Sequence, residues 1–132
     1  MLTLGRLMMS RHSEMTAGSP VTGPRLLVLR LLAEGDSKAG DLACRLGVKA
    51  PAVSSLIEGL ERDGYVAREH GAEDRRVVLV TLTDVGRAVL SEAEAVRRGH
   101  MRRYLAALTE EDVRTLIRIQ RTLIDSIVEM DA

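Results

Sequence analysis

From Asp36 to Leu82 the apolar positions change period twice, and the order of the changes predicts three elements. Lys38 to Leu46 reads as a short helix with Leu42, Ala43 and Leu46 on its inner side and Gly47 as its stop. Val48 leads into a second helix from Ala50 to Asp63, where Val53, Leu56, Ile57 and Leu60 follow the i, i+3, i+4, i+7 spacing of one buried face, and Gly64 ends it. The pattern then becomes extended: Tyr65 to Arg68, a polar tip from Glu69 to Arg75, and the Val-rich run Val77 to Val80. Helix, tight turn, helix and hairpin in that order predict a winged helix-turn-helix.

The flanks are helical. Residues 1–17 place Leu4, Leu7, Met8 and Met15 between Arg6, Arg11 and His12, the pattern of an amphipathic helix, and Gly18-Ser19-Pro20 breaks it. From Pro24 to Ala33 the chain is apolar nearly all round, so this helix belongs at the centre of the core, with Gly35 as its stop. Thr83 can cap a long helix that runs to about Ala107 through Val85, Leu90, Ala93, Val96 and Leu105, with an interruption at Gly99. Thr109 and Asp112 form a capping-box pattern for a last helix from Glu110 to Met130. Its stripe of Val113, Leu116, Ile117, Leu123, Ile124, Ile127 and Val128 is wider than one neighbour covers. In a short chain such a stripe implies burial against a second copy, and a two-fold homodimer is the expected result.

The chain of 132 residues is long enough for one core, and its only aromatic residues are Tyr65 and Tyr104. Neither a membrane-spanning run nor a signal-peptide core stands in it, so a cytoplasmic location and no membrane partner are expected. The single Cys44 excludes an intrachain disulfide, which fits that compartment. His12, His70 and His100 are too scattered to suggest a metal site, and no cofactor is expected. Paired carboxylates, a nucleophile with its base and a phosphate-cradling glycine loop are all missing, which argues against an enzyme.

A winged helix-turn-helix can read double-stranded DNA, because an α-helix fits the major groove and a charged hairpin tip reaches the neighbouring minor groove. If Val53, Ile57 and Leu60 face inward, Ala50, Ser54, Ser55, Glu58 and Arg62 face outward. Ser54 and Ser55 can bond base edges, while Ala50 and Ala52 can pack on thymine methyl groups. The net charge is zero, and residues 36–82 hold seven Lys/Arg against eight Asp/Glu, so the distribution of charge has to carry the argument. At physiological salt the screening length is about 8 Å, and distant acids count little against a local basic cluster. Lys38, Arg45, Lys49, Arg75 and Arg76 are the candidates for the DNA side, with Glu58, Glu61 and Asp63 at the far end of the second helix.

The wing, Asp74-Arg75-Arg76-Val77-Val78-Leu79-Val80-Thr81-Leu82-Thr83, resembles the D-x-R-x-x-x-V-x-L-T pattern of the MarR family of bacterial transcriptional regulators at every fixed position, and the likeness continues through Asp84-Val85-Gly86. The resemblance implies a mainly α fold with a small β-wing over residues 1–132. In it a winged helix-turn-helix (24–82) stands between dimerisation helices (1–17 and 83–132) that interleave with those of a second copy. It implies that Arg76 enters the minor groove while Asp74 holds its guanidinium, in keeping with the attraction of narrow grooves for Arg. Two reading heads about 34 Å apart would then select a pseudo-palindromic operator. The sequence departs from the family at three points. Lys49 stands where a capping Ser or Thr is common, with Pro51 in the first turn as partial compensation. Ser55 and Gly59 stand where basic side chains are frequent.

The resemblance further implies control by a small, often anionic or phenolic effector, or by thiol oxidation. Arg11, His12 and Met15 near the N-terminus and His100, Arg103 and Tyr104 on the long helix are the effector candidates. The run from Arg97 to Arg103 reads as a solvated face that pairs with acids, or as a surface for an anionic effector or flanking phosphates. Cys44 lies at the outer edge of its helix beside Arg45, and an adjacent cation favours thiolate. The peroxide sensors of the family carry their cysteine in the first helix, where this chain has none. A DNA-binding repressor released by an effector is therefore the leading expectation. A protein-interaction module that has lost DNA binding, and a redox regulator acting through Cys44, are the alternatives.

Overall fold

The computed structural model describes residues 19–21 and 23–130. The expected helix over 1–17 lies outside the described residues. Described elements run α1 (Gly23–Glu34), β1 (Ser37–Lys38), α2 (Ala39–Leu46), α3 (Ala50–Arg62), β2 (Val66–His70), β3 (Val78–Leu82), α4 (Asp84–Leu105) and α5 (Glu110–Met130). They fall into two compact units, residues 1–94 and 95–132, with α4 contributing to both.

In the first unit, α1, α2 and α3 pack on a three-stranded antiparallel sheet of order β1-β3-β2. Leu26, Val28, Leu29 and Leu32 of α1 meet Leu42 and Ala43 of α2, Val53, Ile57 and Leu60 of α3, Val66, Val80 and Leu82 of the sheet, and Leu90 of α4. The apolar period of α1 is imperfect because one side, at Leu27, stays exposed. Both α2 and α3 end in Schellman turns on glycines at positive φ, Gly47 at 65° and Gly64 at 79°. Gly47 N–H donates to Cys44 O and Val48 N–H to Ala43 O, and the same pattern recurs with Gly64 to Glu61 and Tyr65 to Leu60. A Cβ would be strained at that φ, so the two stops that the sequence marks are fixed by backbone sterics.

Three expectations change. Helix α2 starts at Ala39 rather than Lys38, because Lys38 is extended and pairs with Leu79 across β1 and β3. The hairpin strands extend beyond the predicted Arg68 and Val80, with a register from Val66–Leu82 to His70–Val78. Gly99 does not interrupt α4, which is continuous from Asp84 to Leu105. A lone helical glycine costs only about 1 kcal/mol, which the flanking helix formers offset.

In the second unit, α5 begins at the predicted capping box: Thr109 N–H donates to Asp112 Oδ2 at 3.0 Å, and Asp112 N–H donates to Thr109 Oγ1 at 3.1 Å. No residue of α5 is buried in the single chain. Leu116, Ile117, Ile119, Leu123, Ile124, Ile127 and Val128 are all exposed.

Candidate nucleic-acid interface

The second reading helix, α3, turns Val53, Ile57 and Leu60 into the core, and this leaves Ala50, Pro51, Ala52, Ser54 and Ser55 exposed along its first half. Lys49 is the N-cap residue, extended at φ −73° and ψ 148°, with no side-chain bond to the helix. Ala52 N–H and Val53 N–H already donate to Lys49 O and Pro51 has no N–H, so the positive end of the α3 dipole and the Lys49 ammonium are what favour an anion at the start of this helix. Glu61 is drawn back to Arg68 of β2 at 3.1 Å and Asp63 to Arg25 of α1, so two of the three acids at the far end of α3 are engaged by bases of the same unit, while Glu58 stays exposed.

Lys38 is exposed at the end of β1. Arg45 is placed differently from the other candidates: its guanidinium meets Glu34 at the end of α1, at 2.5 Å. Sequence patterning could not find that pairing, because the partner sits two elements earlier, across β1. Cys44 is exposed and free, at the outer edge of α2 as expected.

The wing tip carries the tightest local geometry. Asp74 accepts from Arg76 three times: from the backbone N–H at 3.0 Å, from Nε at 3.2 Å, and from Nη2 at 3.4 Å. These bonds, the backbone one foremost and the guanidinium ones next, hold the Asp74 carboxyl below its ordinary value of 3.8, against a slight opposing effect of desolvation. The Arg76 side chain is 92% exposed all the same, so it is aimed without being covered. Between Gly71 and Val77 the loop is closed by Gly71 N–H to Val77 O and Val77 N–H to Asp74 O. His70 adds a contact with Arg75 O.

Thr83 locks the wing to the reading helix. Its Oγ1 donates to Gly64 O at 2.6 Å, its N–H to Tyr65 O at 3.1 Å, and the same Oγ1 accepts from Gly86 N–H at 3.0 Å. One residue thus joins the end of α3 and the start of α4 through its hydroxyl, and the base of β2 through its backbone N–H. The sequence marks Thr83 as a cap, but the tie to Gly64 is nineteen positions away and invisible to local pattern.

Among the effector candidates, Arg11, His12 and Met15 lie outside the described residues. His100 is half-buried on α4, and Arg103 and Tyr104 are exposed there. Among the described residues no cluster of His, Cys, Asp or Glu suited to a metal ion exists, and no helix is long and apolar enough to cross a membrane.

A family model described as the MarR family matches residues 19–77. The HTH-type transcriptional repressor MdtR of Bacillus subtilis (strain 168) is 40% identical over 94 residues, which is 70% of this chain and 61% of that protein. The uncharacterized HTH-type transcriptional regulator YdgJ of the same organism is 30% identical over 113 residues, 85% of this chain and 69% of its own length. This chain therefore spans less than two thirds of MdtR and slightly more of YdgJ. The crystal structure of the YusO protein from Bacillus subtilis superposes with a TM-score of 0.80 at 34% identity, over 92% of this chain and 87% of that one. The relatives named by role are transcriptional regulators, a non-enzymatic role. With its helix-turn-helix, its clasped wing arginine and these relatives, the chain belongs to the MarR family of winged-helix transcriptional regulators.

Proposed function

We propose that this protein is a homodimeric repressor that binds a pseudo-palindromic operator in double-stranded DNA and leaves it when a small anionic or phenolic molecule binds. The observation that carries the reading is the clasp at the wing tip: an exposed Arg76 held in one orientation by Asp74, in the same unit as the exposed first half of α3. In this reading α3 enters the major groove with Ala50, Ala52, Ser54 and Ser55 toward the bases. Lys38, Lys49 and Arg75 meet phosphates, and Arg76 enters the minor groove. Because Asp74 already fixes the guanidinium, less rotamer entropy is lost when it docks.

Dimerisation in this proposal uses the exposed apolar stripe of α5 together with residues 1–17 and α4, which places two reading heads about one helical turn apart. An effector among His100, Arg103 and Tyr104 would favour a different head spacing and so release the operator. The repressor sign is supported by MdtR, a transcriptional repressor.

The test is fluorescence anisotropy with the promoter upstream of the protein's own gene at several salt concentrations. A dimer with about six to ten phosphate contacts gives a log–log salt slope of roughly −5 to −9. Arg76→Ala weakens binding by on the order of 1–3 kcal/mol. A flat salt dependence, or equal affinity of that variant, would overturn the proposal.

A further inference from the structure

His70 sits at the end of β2, where the wing loop begins, and its ring does something that neither the core nor the Asp74–Arg76 clasp requires. Nδ1 lies 3.0 Å from the carbonyl oxygen of Arg75. A carbonyl only accepts, so Nδ1 carries the proton and donates. That commits one ring nitrogen to closing the loop and leaves Nε2 without a partner among the described residues. Arg75 is likewise without an ion pair among the described residues, whereas Arg25, Arg30, Arg45, Arg68 and Arg76 each face a carboxylate. An open hollow of about 510 Å³ adjoins the two, lined by His70, Gly71, Ala72 and Arg75, with no acidic side chain in its wall.

We propose that His70 and Arg75 form a seat for a backbone phosphodiester of DNA on the wing, and that proton binding at His70 Nε2 sets how tightly the seat holds it. This rests on the DNA-binding reading above. With Nδ1 protonated, a neutral ring presents a lone pair at Nε2, which repels a phosphate oxygen; a charged ring presents an N–H there, which donates to it. Titration leaves the Nδ1 donation to Arg75 O intact, so it alters the ligand contact and not the loop. The other charged groups around the ring are Arg68 and Glu69 on its own strand, and Glu73, Asp74, Arg75 and Arg76 in the loop. Asp74 is already engaged by Arg76, and across the sheet β3 offers only Val78. A bound phosphate favours the charged ring, so binding takes up a proton and affinity falls as pH rises.

The experiment is an anisotropy titration of the promoter duplex at constant ionic strength between about pH 5 and pH 8, the range in which histidine side chains as a class exchange protons. The native chain is expected to bind roughly tenfold more weakly at the high end. His70→Asn keeps a donor where Nδ1 stood, and its thermal unfolding should be unchanged. It should show the high-pH affinity of the native chain at every pH. A slope that survives in His70→Asn overturns the seat, while a loss of affinity in Arg76→Ala in the same series leaves the DNA reading standing. Absence of binding by the native chain at every pH sinks both. NMR of the His70 ring at one fixed pH supplies the second readout: the promoter duplex should move Nε2 toward its protonated form. Such a change with inorganic phosphate but none with duplex overturns the DNA assignment in favour of a small-anion site.

Discussion

Asp74 uses both carboxylate oxygens on Arg76, and the consequence is a guanidinium that is exposed yet fixed. Asp74→Asn keeps an acceptor but removes the charge that strengthens these bonds. We expect it to weaken operator binding by about 1 kcal/mol with little change in thermal stability, read by anisotropy and by calorimetric unfolding. The carboxyl is held below its ordinary value, so the clasp is complete above that value and is lost as pH falls through the lowered one. Protection of the Arg76 amide from hydrogen exchange should therefore hold at neutral pH and be lost only in acid, below the ordinary carboxylate value. Gly86 is a different kind of residue. A Cβ there would stand 2.0 Å from Tyr65 O, so Gly86→Ala must push the wing base away from α4. Destabilisation of about 2 kcal/mol or more is expected in urea unfolding. The motif around Thr83 displayed this glycine, but only the approach of β2 explains why no larger residue fits.

At the scale of elements, caps and stops separate what is local from what is not. Gly47, Gly64 and the Thr109–Asp112 box act within their own helix ends, and their patterns could be read directly. The acidic member of that box, Asp112, is likewise held below its ordinary value by its bonds to Thr109, side chain first, so the start of α5 should fray only in acid. Lys49 is extended, as an N-cap residue should be, but makes no cap bond. Lys49→Ser should thus raise stability by about 0.5–1 kcal/mol while lowering DNA affinity, because the cap is gained and the cation lost. Unfolding midpoints and anisotropy on the same sample would separate the two effects. Strand β1 could not be read, since two residues have no period, and they are extended only because β3 offers them a ladder. Leu56 belonged to the predicted inner stripe of α3 yet is only half-buried, the expected fate of a residue at the edge of a stripe.

For the whole molecule the unanswered surface is α5. Seven large apolar residues from Leu116 to Val128 are exposed in a single chain, more than scattered surface residues explain. Ile124→Asp should convert a dimer to a monomer in light scattering, because a charge would be buried against the second copy, and operator binding should fall with it although no DNA contact is touched. A monomer in the native chain at high concentration would remove the proposed operator geometry.

The sequence by itself determined the order of the helices and the hairpin, the inner face of α3, the glycine stops of α2 and α3, the capping box of α5 and the wing residues Asp74 and Arg76. Each depends on interactions within a few residues, whose spacing is fixed by helical and extended geometry. Tertiary structure decided that Glu34 takes Arg45, that Thr83 reaches Gly64, that Gly86 admits no side chain, and that two residues before α2 join the sheet. Those outcomes depend on which elements come to lie side by side, and a periodic pattern records which face of an element turns inward without recording what it meets there.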